Sequence, residues 1–84
     1  MPKPRSSDGQ KNLIGKRLLE ARLKCDMSQR DLAVALQCHG LDVDRNVITR
    51  IETGKRYVTD IELQALAEVL GVTYSYLIDG KKTK

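Results

Sequence analysis

The chain has 84 residues, which suffices for one domain with a modest core. It contains neither Phe nor Trp, so the core must be aliphatic, and no apolar run approaches the roughly 20 residues that a membrane span needs. The N-terminal residues lack the hydrophobic stretch of a signal peptide, so we expect a cytoplasmic protein without a membrane partner.

The formal net charge of +4 is unevenly distributed. Basic side chains outnumber acidic ones in residues 16–56. Residues 57–79 contain no lysine or arginine, and their acidic side chains are Asp60, Glu62, Glu68 and Asp79. This asymmetry predicts one cationic surface and one anionic end, which favours a nucleic-acid partner.

Residues 1–9 are predicted to form a disordered basic tail, and residues 80–84 form a second basic tail. Between them, the first predicted helix runs from Gln10 to Cys25. Its apolar side consists of Ile14, Leu18, Ala21 and Cys25, so we expect a buried, structural Cys25 thiol. Cys25, Cys38 and the single histidine cannot complete a four-ligand zinc site, and we expect neither a metal nor another cofactor.

Capping residues delimit four further helices. Ser28 and Asp31 form a capping-box pattern at the start of the second helix, which ends near Gly40. The third helix is capped by Asp44 and stops at Gly54.

The fourth helix opens with the capping box of Thr59 and Glu62 and ends at Gly71, and Thr73 caps a short fifth helix. No segment keeps the period of a strand for long. The chain is therefore predicted to form an all-α bundle of about five short helices over residues 10–79.

The third helix has two different sides. Val47, Ile48 and Ile51 cluster on one side at about 100° per residue. The opposite side carries polar side chains, namely Arg45, Asn46, Thr49, Arg50 and Thr53. Arginine and asparagine form two-point hydrogen bonds with base edges in the DNA major groove, so this helix is the candidate base-reading element.

Two runs of sequence are particularly specific: Ser28-Gln29-Arg30-Asp31-Leu32-Ala33 and Ile48-Thr49-Arg50-Ile51-Glu52-Thr53-Gly54. With their flanks, over about residues 14–79, they strongly resemble the Cro/CI-type helix-turn-helix repressors, also called the xenobiotic-response-element family. The resemblance implies a lambda-repressor-like fold and a transcriptional regulator, most often a repressor, that binds double-stranded DNA as a homodimer.

The resemblance also implies roles for individual residues. The base-reading positions are Arg45, Asn46, Thr49 and Arg50. The phosphate-contacting positions are Gln29, Thr53, Lys55, Arg56 and Tyr57. Arg22 and Glu52 match a partly buried ion pair between the first and third helices.

The C-terminal region offers more apolar surface than one short helix buries internally. A dimer interface is therefore predicted at Tyr74, Tyr76, Leu77 and Ile78.

The chain departs from the family pattern twice. The connection before the third helix, residues 37–44, is longer than usual, so we expect the second helix to extend and Leu41 or Val43 to fill the core. Asp26 stands where a glycine commonly ends the first helix, and we expect it to adopt a left-handed conformation.

Calcium binding, catalysis and protein binding are the alternatives to DNA binding. Asp42, Asp44 and Asn46 have the opening spacing of a calcium loop, but Val47 and Thr53 occupy positions that need Gly and Glu. No nucleophile motif or phosphate-binding glycine loop suggests an enzyme. The remaining alternative is a module that binds a protein partner, such as an antitoxin. The polar side of the third helix favours DNA binding. The two functions are compatible, because an antitoxin commonly binds both DNA and a protein.

Overall fold

The computed structural model describes residues 8–81, and these residues form five α-helices and no strand. The helices are α1 (Gly15–Lys24), α2 (Gln29–Cys38), α3 (Arg45–Glu52), α4 (Asp60–Leu70) and α5 (Tyr74–Asp79). The predicted all-α fold of five short helices is therefore confirmed. The two predicted basic tails, residues 1–9 and 80–84, lie mostly outside the described residues.

Side-chain caps determine where α2 and α4 begin. The Ser28 hydroxyl accepts the Asp31 N–H at 3.0 Å, and the Asp31 carboxylate accepts the Ser28 N–H at 3.0 Å. This backbone hydrogen bond from Ser28 lowers the pKa of Asp31. Thr59 and Glu62 form the same reciprocal box at the start of α4. Both predicted capping boxes are confirmed.

The core is aliphatic, as the composition requires, and every helix contributes to it. Helix α3 packs against α1 and α2, α4 packs against α2 and α5, and α5 also contacts α1. The largest fully buried side chains are Leu18, Leu32, Leu36, Ile48, Ile51, Leu66 and Leu77.

Helix α1 is shorter than predicted at both ends. It begins at Gly15 rather than Gln10, because the side chain of Asn12 accepts the backbone N–H groups of Ile14 and Gly15. The prediction of a buried Cys25 is wrong: Cys25 is exposed and follows the last residue of α1. The chain then turns at Asp26, whose φ of 58° confirms the expected left-handed conformation.

The long connection between α2 and α3 is anchored on the core. Helix α2 ends at Cys38, and Val43 is buried while Leu41 packs at the core edge. The side-chain amide of Gln37 donates to the Val43 carbonyl at 2.8 Å. The expectation that Leu41 or Val43 fills the core is confirmed, with Val43 as the buried residue.

Candidate nucleic-acid interface

Helix α3 is held to the core by one side and exposes the other. Ile48 and Ile51 are fully buried, and the Asp44 carboxylate caps the helix by accepting the Val47 N–H at 3.0 Å. The structure leaves three of the predicted base-reading side chains exposed on α3: Arg45, Asn46 and Arg50. A short helix therefore presents two guanidinium groups and one amide to solvent.

Thr49, the fourth predicted base-reading residue, is half-buried and hydrogen-bonded within the protein. Its hydroxyl donates to Oε1 of Gln29 at 2.9 Å, and the Gln29 amide nitrogen donates to Oε1 of Glu52 at 2.9 Å. Gln29 is the first residue of α2. These two bonds hold the start of α2 against the middle and the end of α3.

Arg22 on α1 and Glu52 on α3 form a two-point ion pair. Nε of Arg22 lies 2.6 Å from Oε2 of Glu52, and Nη2 lies 3.2 Å from Oε1. Nη1 of Arg22 donates to the Met27 carbonyl at 2.9 Å. Gln29, Thr49, Glu52 and Arg22 consequently form one continuous network that joins the first three helices.

The turn after α3, residues 53–57, collects the other predicted phosphate-contacting residues. Lys55 is exposed, and its backbone N–H donates to the Arg50 carbonyl at 2.8 Å. Thr53 is also exposed, and its hydroxyl donates to the Thr49 carbonyl at 2.8 Å. Tyr57 is half-buried.

Arg56 is tied to α4. Its Nη1 donates to the Tyr57 carbonyl at 3.1 Å and to Oε1 of Glu62 at 3.0 Å. Partial burial by itself raises the pKa of Glu62, but the hydrogen bonds from Arg56 and from the Thr59 N–H outweigh burial and lower it. One guanidinium nitrogen of this predicted phosphate contact is thus engaged in bracing the turn.

The predicted dimer residues differ in their exposure. Tyr74 and Ile78 are exposed, and Tyr76 is half-buried against the core. The inclusion of Leu77 is wrong, because its side chain is 0% exposed and belongs to the core. Sequence reasoning missed Ile61, which lines a shallow groove with Tyr74 and Ile78. The only sequence feature that could have identified Ile61 is its position outside the apolar repeat of the fourth helix.

No cluster of three or more potential metal ligands occurs in residues 8–81. None of the helices described there is long and apolar enough to span a membrane.

A family model described as helix-turn-helix matches residues 18–77. The chain therefore belongs to the Cro/CI-type helix-turn-helix family. This is a DNA-binding family with a lambda-repressor-like fold, and it is not an enzyme family. A search of curated proteins finds no match to the chain.

Proposed function

We propose that the protein is a transcriptional repressor that binds a near-palindromic DNA operator as a homodimer. The observation that carries this proposal is the orientation of α3: its apolar side is buried, and Arg45, Asn46 and Arg50 are exposed. Side chains of these types on one short helix suit insertion into a major groove. We expect this function to need no cofactor and to take place in the cytoplasm.

Each exposed side chain of α3 has a chemically matched base edge. Arg45 or Arg50 would donate two hydrogen bonds to O6 and N7 of a guanine, and Asn46 would pair with N6 and N7 of an adenine. The hydroxyl of Thr49 already donates to Gln29, so its methyl group would make an apolar contact with a thymine methyl.

The phosphate contacts would flank this helix. Gln29 lies in the first turn of α2, where backbone N–H groups and the helix dipole favour an anion. The turn after α3 would supply Thr53, Lys55, Arg56 and Tyr57. Such contacts determine affinity and salt dependence rather than base preference.

The apolar groove of Ile61, Tyr74 and Ile78 is the proposed contact with a second copy of the chain. Two-fold pairing would present two α3 helices to half-sites about one helical turn, roughly 34 Å, apart. The same groove favours the second candidate function, an antitoxin, in which a protein partner would cover it. The exposed side of α3 is cationic and polar, so DNA binding is the preferred function whether the groove is covered by a second copy of the chain or by another protein.

Selection of bound duplexes from a random DNA pool tests the proposal. We expect enrichment of one near-palindromic motif, and a gel shift with that duplex should outcompete a mixed-sequence duplex. Retention of DNA without enrichment of any sequence would contradict base reading by α3.

A further inference from the structure

One side chain outside the family match connects the start of α1 to the end of α3. Oδ1 of Asn12 accepts the N–H groups of Ile14 and Gly15 at 3.0 and 2.9 Å. Its Nδ2 donates to the carbonyls of Ile51 and Arg56 at 3.0 and 2.8 Å. Asn12 therefore binds the N–H groups at the start of α1 with one atom and the backbone on both sides of Lys55 with the other.

The residues next to Asn12 follow the same path. The Lys11 N–H donates to the Gly54 carbonyl at 2.9 Å, and Nζ of Lys11 lies 5.7 Å from the centre of the Tyr57 ring. A Cβ on Gly15 would stand 2.7 Å from the Ile51 carbonyl oxygen, so only glycine allows α1 to begin this close to α3. Residues 10–12, here called the strap, thus lie along the turn that follows α3.

The strap adds to backbone hydrogen bonds that already hold the turn after α3, in which the Gly54 N–H donates to the Ile51 carbonyl at 3.0 Å and the Lys55 N–H donates to the Arg50 carbonyl at 2.8 Å. The last carbonyls of an α-helix have no N–H partner within the helix, and the chain beyond them is held only by what else binds it. Asn12 binds one carbonyl in the last turn of α3 and one just after Lys55. Its side chain therefore adds two further points of attachment that restrain how the Lys55 turn leaves the helix.

We propose that Asn12 is a positioning residue for DNA binding, which holds the turn of residues 53–57 so that Lys55 meets a phosphate while α3 lies in the groove. This inference rests on the proposed DNA-binding function. A turn that is already ordered before DNA binds does not have to lose conformational entropy on binding. Loss of the hydrogen bonds from Asn12 to the Ile51 and Arg56 carbonyls therefore weakens DNA binding even when the protein stays folded.

The variant Asn12→Ser separates the two roles of this side chain. A serine hydroxyl can still accept the N–H groups two or three residues ahead, at Ile14 and Gly15, but it is too short to reach Ile51 and Arg56. We expect the variant to fold and to bind the selected duplex about tenfold more weakly, the ratio for a net loss of one or two hydrogen bonds. Binding is measured well below the melting temperature, with the folded fraction determined by circular dichroism.

A double-mutant cycle with Lys55→Ala identifies the route of the effect. If Asn12 acts through the turn, Lys55→Ala weakens binding less in the Asn12→Ser background than in the parent. Additive losses, or unchanged affinity of folded Asn12→Ser, would overturn the proposal. Val69→Ala, which trims the core edge on α4, is the control for lowered stability and should leave the affinity of the folded protein unchanged.

Amide hydrogen exchange of the free protein keeps this test separate from the proposed function. In Asn12→Ser, the Lys55 N–H that donates to Arg50 should exchange faster, whereas the Val72 N–H that donates to Ala67 should not. An unchanged exchange rate of the Lys55 N–H would refute the role of Asn12 in holding the turn. A parent protein that enriches no DNA sequence would refute the DNA-binding function, whatever the exchange shows.

Discussion

Arg22 and Glu52 meet between α1 and α3 with their side chains only 9% and 5% exposed. Their closest atoms are 2.6 Å apart, and the remaining Arg22 contact is with the Met27 carbonyl. Two charges withdrawn from water to this extent depend on each other, because either one alone would be a buried charge without its counter-charge.

We expect Arg22→Ala to lower the free energy of unfolding by about 3 kcal/mol, since it leaves the Glu52 carboxylate without its cation. Urea denaturation measures this loss. The exposed Arg30 on α2 provides the matched control, and Arg30→Ala should change stability by about 0.5 kcal/mol or less. Equal stability of the parent and Arg22→Ala would refute the structural importance of the pair.

Arg50→Ala should weaken binding to the selected duplex by about 1–3 kcal/mol and relax the preference at one base position. The reason is the loss of a two-point contact with a guanine edge. Gel-shift titration against single-base variants of the duplex measures both effects. Lys24→Ala on the last turn of α1 serves as the charge-matched control. Unaltered affinity and base preference in Arg50→Ala would remove this residue from the base-reading set.

Lys55→Ala should weaken binding to all duplexes by a similar factor, because a phosphate contact is independent of sequence. Each phosphate contact releases condensed counterions, so the slope of log K against log salt should become shallower by about 0.9. Titrations at several salt concentrations with the selected and a mixed-sequence duplex test this. A slope equal to that of the parent would show that Lys55 contacts no phosphate.

Glu62 should make stability depend on pH in the acidic range. Its pKa lies below the ordinary value because of the hydrogen bonds from Arg56 and the Thr59 N–H, which outweigh burial, so its contribution is complete above the ordinary pKa of about 4.5. The contribution is lost as the pH falls through the lower pKa of the folded protein. Melting temperatures of the parent and Glu62→Gln should therefore differ at neutral pH and converge in acid. A constant difference across this range would contradict the assignment.

Ile61→Glu should weaken association of two chains, because it places a charge in the groove shared with Tyr74 and Ile78. Leu23→Glu is the matched control, since Leu23 and Ile61 are 61% and 65% exposed but lie on different helices. Sedimentation at several protein concentrations measures the effect. Equal weakening by both variants, or a parent that stays monomeric, would exclude this groove as the dimer contact.

Much of the fold was predictable from local sequence because caps and apolar spacing act over a few residues. The boxes at Ser28 and Thr59 determine where α2 and α4 start, and the spacing in the third helix correctly identifies Ile48 and Ile51 as buried. The apolar spacing wrongly predicts that Cys25 is buried, because the spacing continues to this residue although the helix has already ended.

The contacts that brace the candidate site were harder to predict. Asn12 donates hydrogen bonds to the carbonyls of Ile51 and Arg56. Such bonds produce no sequence pattern, because every residue has a backbone carbonyl that can accept them. The sequence does not distinguish the buried Leu77 from its exposed neighbours, because periodicity in a six-residue helix cannot separate the core side from the exposed side. The Arg22–Glu52 pairing came from family resemblance, and the residue types alone did not specify it.

The anchoring of Val43 has a consequence for how this region can diverge. Because Val43 is buried and Gln37 binds its carbonyl, the orientation of α3 is set after the exposed part of the connection has ended. Substitutions at the exposed Asp42, between the core contacts of Leu41 and Val43, can therefore accumulate during evolution without retuning the DNA sequence that the protein recognises.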